Sequence, residues 1–137
     1  MLARADLSAR PPIYVSEADF DHLSRLSADA ASPGAALLAE ELARATVVKG
    51  GEGPPAFVRL GSRVEFKDLM SDRVHTVTLV APADADMKQN RLSVLAPAGA
   101  ALVGLTPGDV FSWTVDGRPR LLVVNRVVGL GGAGAAG

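Results

Sequence analysis

Two periods divide the chain. From residue 16 to 47 the apolar positions recur at helical spacing, and from Phe57 onward they alternate with polar ones. Phe20, Leu23 and Leu26 fall at i, i+3 and i+6, with Asp21, His22 and Arg25 off that stripe. Ser16 precedes them as a helix N-cap, with Asp19 as a short capping-box acid. The run 29–34 breaks the pattern, and Ser32-Pro33 caps and starts a second helix. Its stripe is Ala35, Leu38, Leu42 and Ala45, with Glu40 and Arg44 at the supportive i, i+4 spacing. Residues 16–47 thus predict an antiparallel hairpin of two short helices, each about 20 Å long at 1.5 Å per residue. Two helices this short must lean on the rest of the chain to bury their apolar faces. Ile13-Tyr14-Val15 ahead of them is a brief β-prone triplet.

In the second half, Val64 and Phe66 alternate with Arg63, Glu65 and Lys67. Residues 68–72 make a turn and 74–80 a second strand, followed by a polar loop over 82–91. The segment that organises the rest is 92–110. Leu92–Leu95 is a short strand, and Pro97 suits a first helical position, where its missing N–H costs nothing. Ala98–Val103 is apolar on every side, which marks a buried helix. Gly104 can close it in a left-handed conformation, and Pro107-Gly108-Asp109 turns the chain into a strand from Val110 to Val115. Asp116-Gly117 is a hairpin signal, and Leu121–Val128 is a final strand of interior character.

The predicted fold class is therefore α+β, a helical hairpin followed by an antiparallel sheet wrapped around one short helix. The predicted organisation is a flexible leader (1–12), the hairpin (13–49), a Gly/Pro linker (50–56), the sheet domain (57–128) and a flexible Gly/Ala tail (129–137).

Composition narrows the chemistry. With 137 residues and 48% apolar content the chain can bury a sizeable core, and with 4% aromatic content that core is built from Ala, Val and Leu. A net charge of −1 supplies no long-range attraction to nucleic acid or an acidic membrane, so no direct DNA binding is expected. Cysteine is absent, which removes disulfides and thiolate metal sites. No apolar run has the length of a signal peptide or a membrane span, so a cytoplasmic protein is expected. His22 reads as a surface residue and His75 as a packed or edge-exposed strand residue, with no second ligand beside either. Asp84 and Asp86 lack the glycine and bidentate glutamate of a calcium loop. Residues 50–55 lack the Gly-Lys-Ser/Thr of a phosphate loop. No catalytic residue, metal site or cofactor is assigned, and the chain is not expected to be an enzyme.

Particular stretches carry a family resemblance. Arg59-Leu60-Gly61-Ser62-Arg63-Val64, Thr76-Val77-Thr78-Leu79-Val80, and the run from Leu92-Ser93 to Pro97 through Gly99–Gly104 to Gly108-Asp109 resemble the C-terminal domain of the Gre transcript-cleavage factors. Pro12-Ile13-Tyr14-Val15-Ser16, Leu92–Pro97 and Gly99-Ala100-Ala101-Leu102 resemble the Rnk family, the regulators of nucleoside diphosphate kinase, over the whole chain. The resemblance implies an FKBP-like C-terminal part and docking on RNA polymerase near the mouth of its secondary channel. It also implies a regulatory link to nucleoside diphosphate kinase levels.

Two departures from the Gre pattern sharpen that expectation. Gre factors carry a long coiled coil with two carboxylates at its tip, which help hold a Mg²⁺ in the polymerase active site. Here the hairpin is short and its tip, 26–37, offers only Asp29, so stimulation of transcript cleavage is not expected. The polymerase-facing corner of Gre factors matches Leu95, Ala96 and Pro97, where a family Asp and Ser are replaced by Leu95 and Ala96. Alanine has no oxygen to cap a helix, a loss of about 1 kcal/mol against serine. A partner's carboxylate or carbonyl could complete that cap, with Leu95 and Pro97 in apolar contact; alternatively water caps it and Leu95 packs in the core. The leading expectation is a regulator that competes with Gre-type factors for the channel rim. The alternatives are a module acting directly on the kinase, or an FKBP-like prolyl isomerase.

Overall fold

The structure is a computed structural model, which describes residues 10–29, 31–50 and 52–130. Leader residues 1–9 and tail residues 131–137 lie outside the described residues.

The chain opens with β1 (Tyr14–Ser16), α1 (Glu17–Asp29), α2 (Pro33–Arg44) and β2 (Thr46–Val48). Ser16 Oγ accepts from the Asp19 amide at 3.2 Å, and Ser32 Oγ accepts from the Ala35 amide at 3.2 Å, so both predicted caps form. The Asp19 carboxylate does not close a capping box. It accepts instead from the Leu60 amide at 3.4 Å and ties α1 to the start of the sheet domain. Leu23 is buried, with Phe20 and Leu26 packed beside it.

Helix α2 stops at Arg44, earlier than the sequence pattern suggests. Thr46-Val47-Val48 is a strand paired in parallel with β1, in register Tyr14↔Thr46 through Ser16↔Val48. Two β-branched valines in succession favour that extended state over another helical turn. The residue predicted as a pairing partner also changes. Arg44 closes on Glu41, Nη2 to Oε1 at 2.6 Å, rather than on Glu40. Glu41 is 1% exposed, and its other oxygen accepts from Arg10 Nη1 at 2.8 Å. Arg10 also donates to the Ser112 carbonyl at 3.3 Å and lies 5.0 Å over the Phe111 ring, while Arg44 donates to the Pro11 carbonyl at 2.7 Å. Residues 10 and 11, expected in a loose leader, are thereby held against α2 and the sheet.

The remaining strands are β3 (Ser62–Asp68), β4 (Arg73–Val80), β5 (Arg91–Ser93), β6 (Val110–Val115) and β7 (Arg118–Leu130). They form one sheet in the order β5-β4-β3-β7-β6. All pairings are antiparallel except β4 with β5, which is parallel. The all-antiparallel expectation fails there because two short 3₁₀ turns, Pro82–Asp84 and Met87–Gln89, carry the chain back alongside β4 before β5 begins. Strand β7 is longer than predicted, starting at Arg118 and running on to Leu130, which pairs with Ser62. Register shifts near Ser62 and Phe66 let this long strand bend between its neighbours. Asp116 and Gly117 both have positive φ, 51° and 75°, as the two-residue turn between β6 and β7 requires.

Helix α3 (Pro97–Leu102) is buried as its composition predicts, with Ala100, Ala101 and Leu102 at 0–1% exposure. It is clamped on both sides. A Cβ on Gly99 would overlap the Ser93 carbonyl, and a Cβ on Gly34 of α2 would overlap the Leu95 carbonyl. Gly104 follows at φ 80°, and its amide and carbonyl bond to the Val58 carbonyl and the Tyr14 amide. Among the described residues most of the buried apolar side chains make one cluster. Ile13, Leu23 and Leu38 of the N-terminal part share it with Val64, Leu102, Phe111 and Leu122.

Candidate functional site

The corner Leu95-Ala96-Pro97 joins β5 to α3. Its shape comes from Ser93, whose Oγ accepts from the Leu95 amide at 2.9 Å and whose carbonyl accepts from the Ala96 amide at 3.0 Å. That serine turn swings the backbone so that Ala96 takes the N-cap position at φ −72°, ψ 146°, with Pro97 at the first helical position. No side chain caps the helix. Leu95, Ala96 and Pro97 are each half-buried, and Leu95 packs on the core. The first turn of α2 covers one flank of the corner, which the close approach of Gly34 permits.

Two clefts open beside this corner. Pro97 lines one of about 530 Å³, whose walls include Pro33 and Leu37 of α2 and Trp113 and Thr114 of β6. Ala98 and Leu92 line the other, of about 200 Å³, together with Phe66, Val77, Trp113 and Leu122 from the sheet. His75 stacks on Phe66 in the second cleft, with ring centroids 5.2 Å apart. Asp68 and Arg120, ion-paired at 3.3 Å, also line it. Met87 lines it too and is 59% exposed, a large apolar side chain left in solvent. Trp113 belongs to both clefts, and its indole Nε1 is buried without a hydrogen-bond partner. The arrangement offers apolar contact surface rather than a reactive group.

The other predicted site residue, Asp29, ends α1 and is exposed. With 13 residues α1 is about 20 Å long, and Asp29 stands at the end remote from β1. His22 and His75 are exposed and not brought together with a metal-ligating set. Among the described residues, no group of three His, Cys, Asp or Glu could hold a metal ion. Asp86 caps the turn that follows it, accepting from the Lys88 amide at 3.1 Å. No helix among the described residues is long and apolar enough to cross a membrane.

Sequence reasoning did not foresee the apolar cleft at Phe66, Val77 and Leu92. Period-two alternation put Phe66 on the same face as Val64. It gave no sign that α3 is too short to cover that whole face, which leaves the far end open.

Comparison with known proteins fits this geometry. Residues 54–127 match the family described as transcription elongation factor, GreA/GreB, C-terminal, and residues 11–48 match the Rnk N-terminus. The sheet, α3 and the corner thus belong to the GreA/GreB C-terminal class of domain. The regulator of nucleoside diphosphate kinase of Escherichia coli is 38% identical over 112 residues, covering 80% of this chain and 82% of that protein. The chain belongs to the Rnk family, in which the Rnk N-terminus precedes a GreA/GreB C-terminal domain. Transcription elongation factor GreA of Clostridium botulinum is 36% identical over 88 residues, and the chain spans 55% of its length. The solved prokaryotic transcription elongation factor GreA/GreB from Nitrosomonas europaea superposes with a TM-score of 0.68 at 37% identity, covering 87% of this chain and 99% of that one. These relatives carry the names of a regulator and of transcription factors, not of enzymes.

Proposed function

We propose that the protein is a non-enzymatic regulator that docks on RNA polymerase at the rim of the secondary channel. There it competes with Gre-type factors without stimulating transcript cleavage. The observation that carries this reading is the corner at Leu95–Pro97. It lies inside the region matched to the GreA/GreB C-terminal family and is flanked by two clefts, a mixed one that includes Arg10 and Glu40 beside Leu37 and Trp113, and a more apolar one at Phe66, Val77 and Leu92. Leu95 and Pro97 supply the apolar contact, and a partner carbonyl or carboxylate completes the uncapped first turn of α3. The curled, helix-backed sheet supports the FKBP-like reading of this part of the chain.

The absence of cleavage stimulation follows from reach and charge. Sharing a catalytic metal needs carboxylates within about 2–3 Å of the ion. A helix of 13 residues ending in a single carboxylate, Asp29, is a short and weakly charged probe. Regulation of nucleoside diphosphate kinase levels is then an effect of polymerase occupancy, in keeping with the name of the Escherichia coli relative.

The corner is tested by Leu95→Asp, which places a charge on a half-buried apolar contact. Polymerase affinity should fall at least tenfold, equivalent to about 1.4 kcal/mol, at a temperature where circular dichroism shows the variant folded. Unchanged affinity would remove the corner from the interface. In a separate assay the unaltered protein should fail to rescue a backtracked polymerase; rescue would contradict the role assigned to the short probe.

A further inference from the structure

Strand β4 leaves part of its outer edge unpaired. β5 lies alongside only Thr78–Val80, while β3 covers the other side from Arg73 to Thr78. The Thr78 amide donates to the Asn90 carbonyl and the Val80 carbonyl accepts from the Val94 amide, both at 2.8 Å. The Leu79 carbonyl accepts from the Gly61 amide at 2.7 Å, on the β3 side. Even-numbered residues of β4 thus turn their backbone groups to the outer edge, and odd-numbered residues turn theirs to β3. Val74 and Thr76 each present an N–H and a C=O on the open edge, and among the described residues no group bonds to them there.

Such an edge is ordinarily blunted by proline, lysine or a bulge. β4 carries neither proline nor lysine and pairs with β3 without a register shift. Residues 73–76 are all exposed. Of the six large apolar side chains exposed among the described residues, four gather here. Val74, 55% exposed, is on the edge itself. Leu69 and Met70 are in the turn that leads into it, and Met87 shares a cleft with His75 and Val77.

We propose that this edge pairs with the same edge of a second copy, β4 antiparallel to β4, about a two-fold axis at His75. Parity and the ends of the edge select that register. Outward residues must face outward residues, β4 begins at Arg73, and β5 occupies the row from Thr78 onward. Val74 then faces Thr76 of the other copy, and Thr76 faces its Val74, so every open N–H and C=O on the edge finds a partner. The two β-branched pairs add cross-strand contact on the solvent face. Just past the paired segment, residue 72 falls opposite position 78, where Arg91 begins β5. Asp72, held by Lys67 at 2.8 Å, keeps 82% of its side chain exposed, and among the described residues Arg91 has no carboxylate within ion-pair distance. A foreign strand would satisfy the backbone groups, but a second copy also supplies the opposite charge at each end. The proposal does not depend on polymerase docking.

The test is sedimentation equilibrium of the full chain over a concentration series, with hydrogen exchange as the readout at single residues. Two short strands bury less than the roughly 1,200 Å² of a stable interface, so the series extends to about 1 mM. The mean mass should rise toward that of two chains, and the Val74 and Thr76 amides should exchange more slowly at the high end. Val74→Lys, at an exposed position, should weaken association at least tenfold. Val128→Lys, at a similarly exposed valine on β7, should leave it unchanged. The chain has no cysteine, so His75→Cys gives a second readout. Residues facing each other in a non-hydrogen-bonded pair have Cα atoms about 4.5 Å apart, inside disulfide range. Mild oxidation should therefore join two His75→Cys chains, and adding Val74→Lys should prevent it. A monomer throughout the series would overturn the proposal. So would a dimer whose Val74 and Thr76 amides still exchange freely, a dimer that His75→Cys does not cross-link, or association weakened equally by Val128→Lys.

Discussion

At the scale of single residues, Glu41 governs the N-terminal part. It carries a carboxylate into the core side of α2, and Arg10 and Arg44 complete its surroundings. Removing one member of a buried ion group strands the others without compensation, at about 3–5 kcal/mol when all are buried. Both arginine side chains here keep about a third of their surface in solvent, at 35% and 32%, so the loss is smaller. Glu41→Ala should destabilise by roughly 2 kcal/mol in urea unfolding and should release the Arg10 contacts to Ser112 and Phe111. A change below the error of the measurement would show the group to be ornamental. The sequence did not display this residue. Glu40 and Glu41 look alike in the chain, and the i, i+4 rule selects Glu40. Only packing decides which of two adjacent carboxylates faces inward. By contrast the serine caps at 16 and 32 were legible, because capping is a local bond between residues three apart.

At the scale of elements, the short helix α3 is fixed by backbone contacts that demand small residues around it. Gly104 combines a positive φ of 80° with a would-be Cβ within 3 Å of Ile13 Cβ and the Tyr14 carbonyl. Gly104→Ala should therefore cost more than the roughly 1 kcal/mol of backbone strain, in the region of 2–3 kcal/mol once overpacking is added. The check is a lowered urea midpoint at unchanged m-value. The sequence marked Gly104 as a helix terminator, which is correct for its conformation. It could not show that β1 crosses there, since that contact joins residues ninety apart. The same limit explains β2. A three-residue strand such as Thr46–Val48 has no period to read and forms because Tyr14–Ser16 lies alongside. The hairpin at Asp116-Gly117 needed no such partner and was legible from two residues.

At the scale of the whole molecule, the helices and the sheet share one apolar cluster among the described residues, and β1 is bonded to the segment that follows α3. The full chain should therefore unfold in a single transition, with the Trp113 fluorescence and far-ultraviolet dichroism midpoints coinciding. Two separated transitions would show that the linker 50–56 divides independent folding units. The α+β class and the order of helices and strands followed from the change of period near residue 50. The parallel β5, the length of β7 and the apolar cleft beside α3 did not follow, since each depends on how distant segments meet.

The central claim is that this shared fold presents Leu95–Pro97 to RNA polymerase in the manner of a Gre-type factor. It is tested most directly by competition on core polymerase, with a labelled Gre-type factor bound and this protein titrated in. The account predicts displacement that saturates, and a titration shifted at least tenfold by Leu95→Asp. Failure to displace the labelled factor, together with no measurable binding to the polymerase, would contradict it.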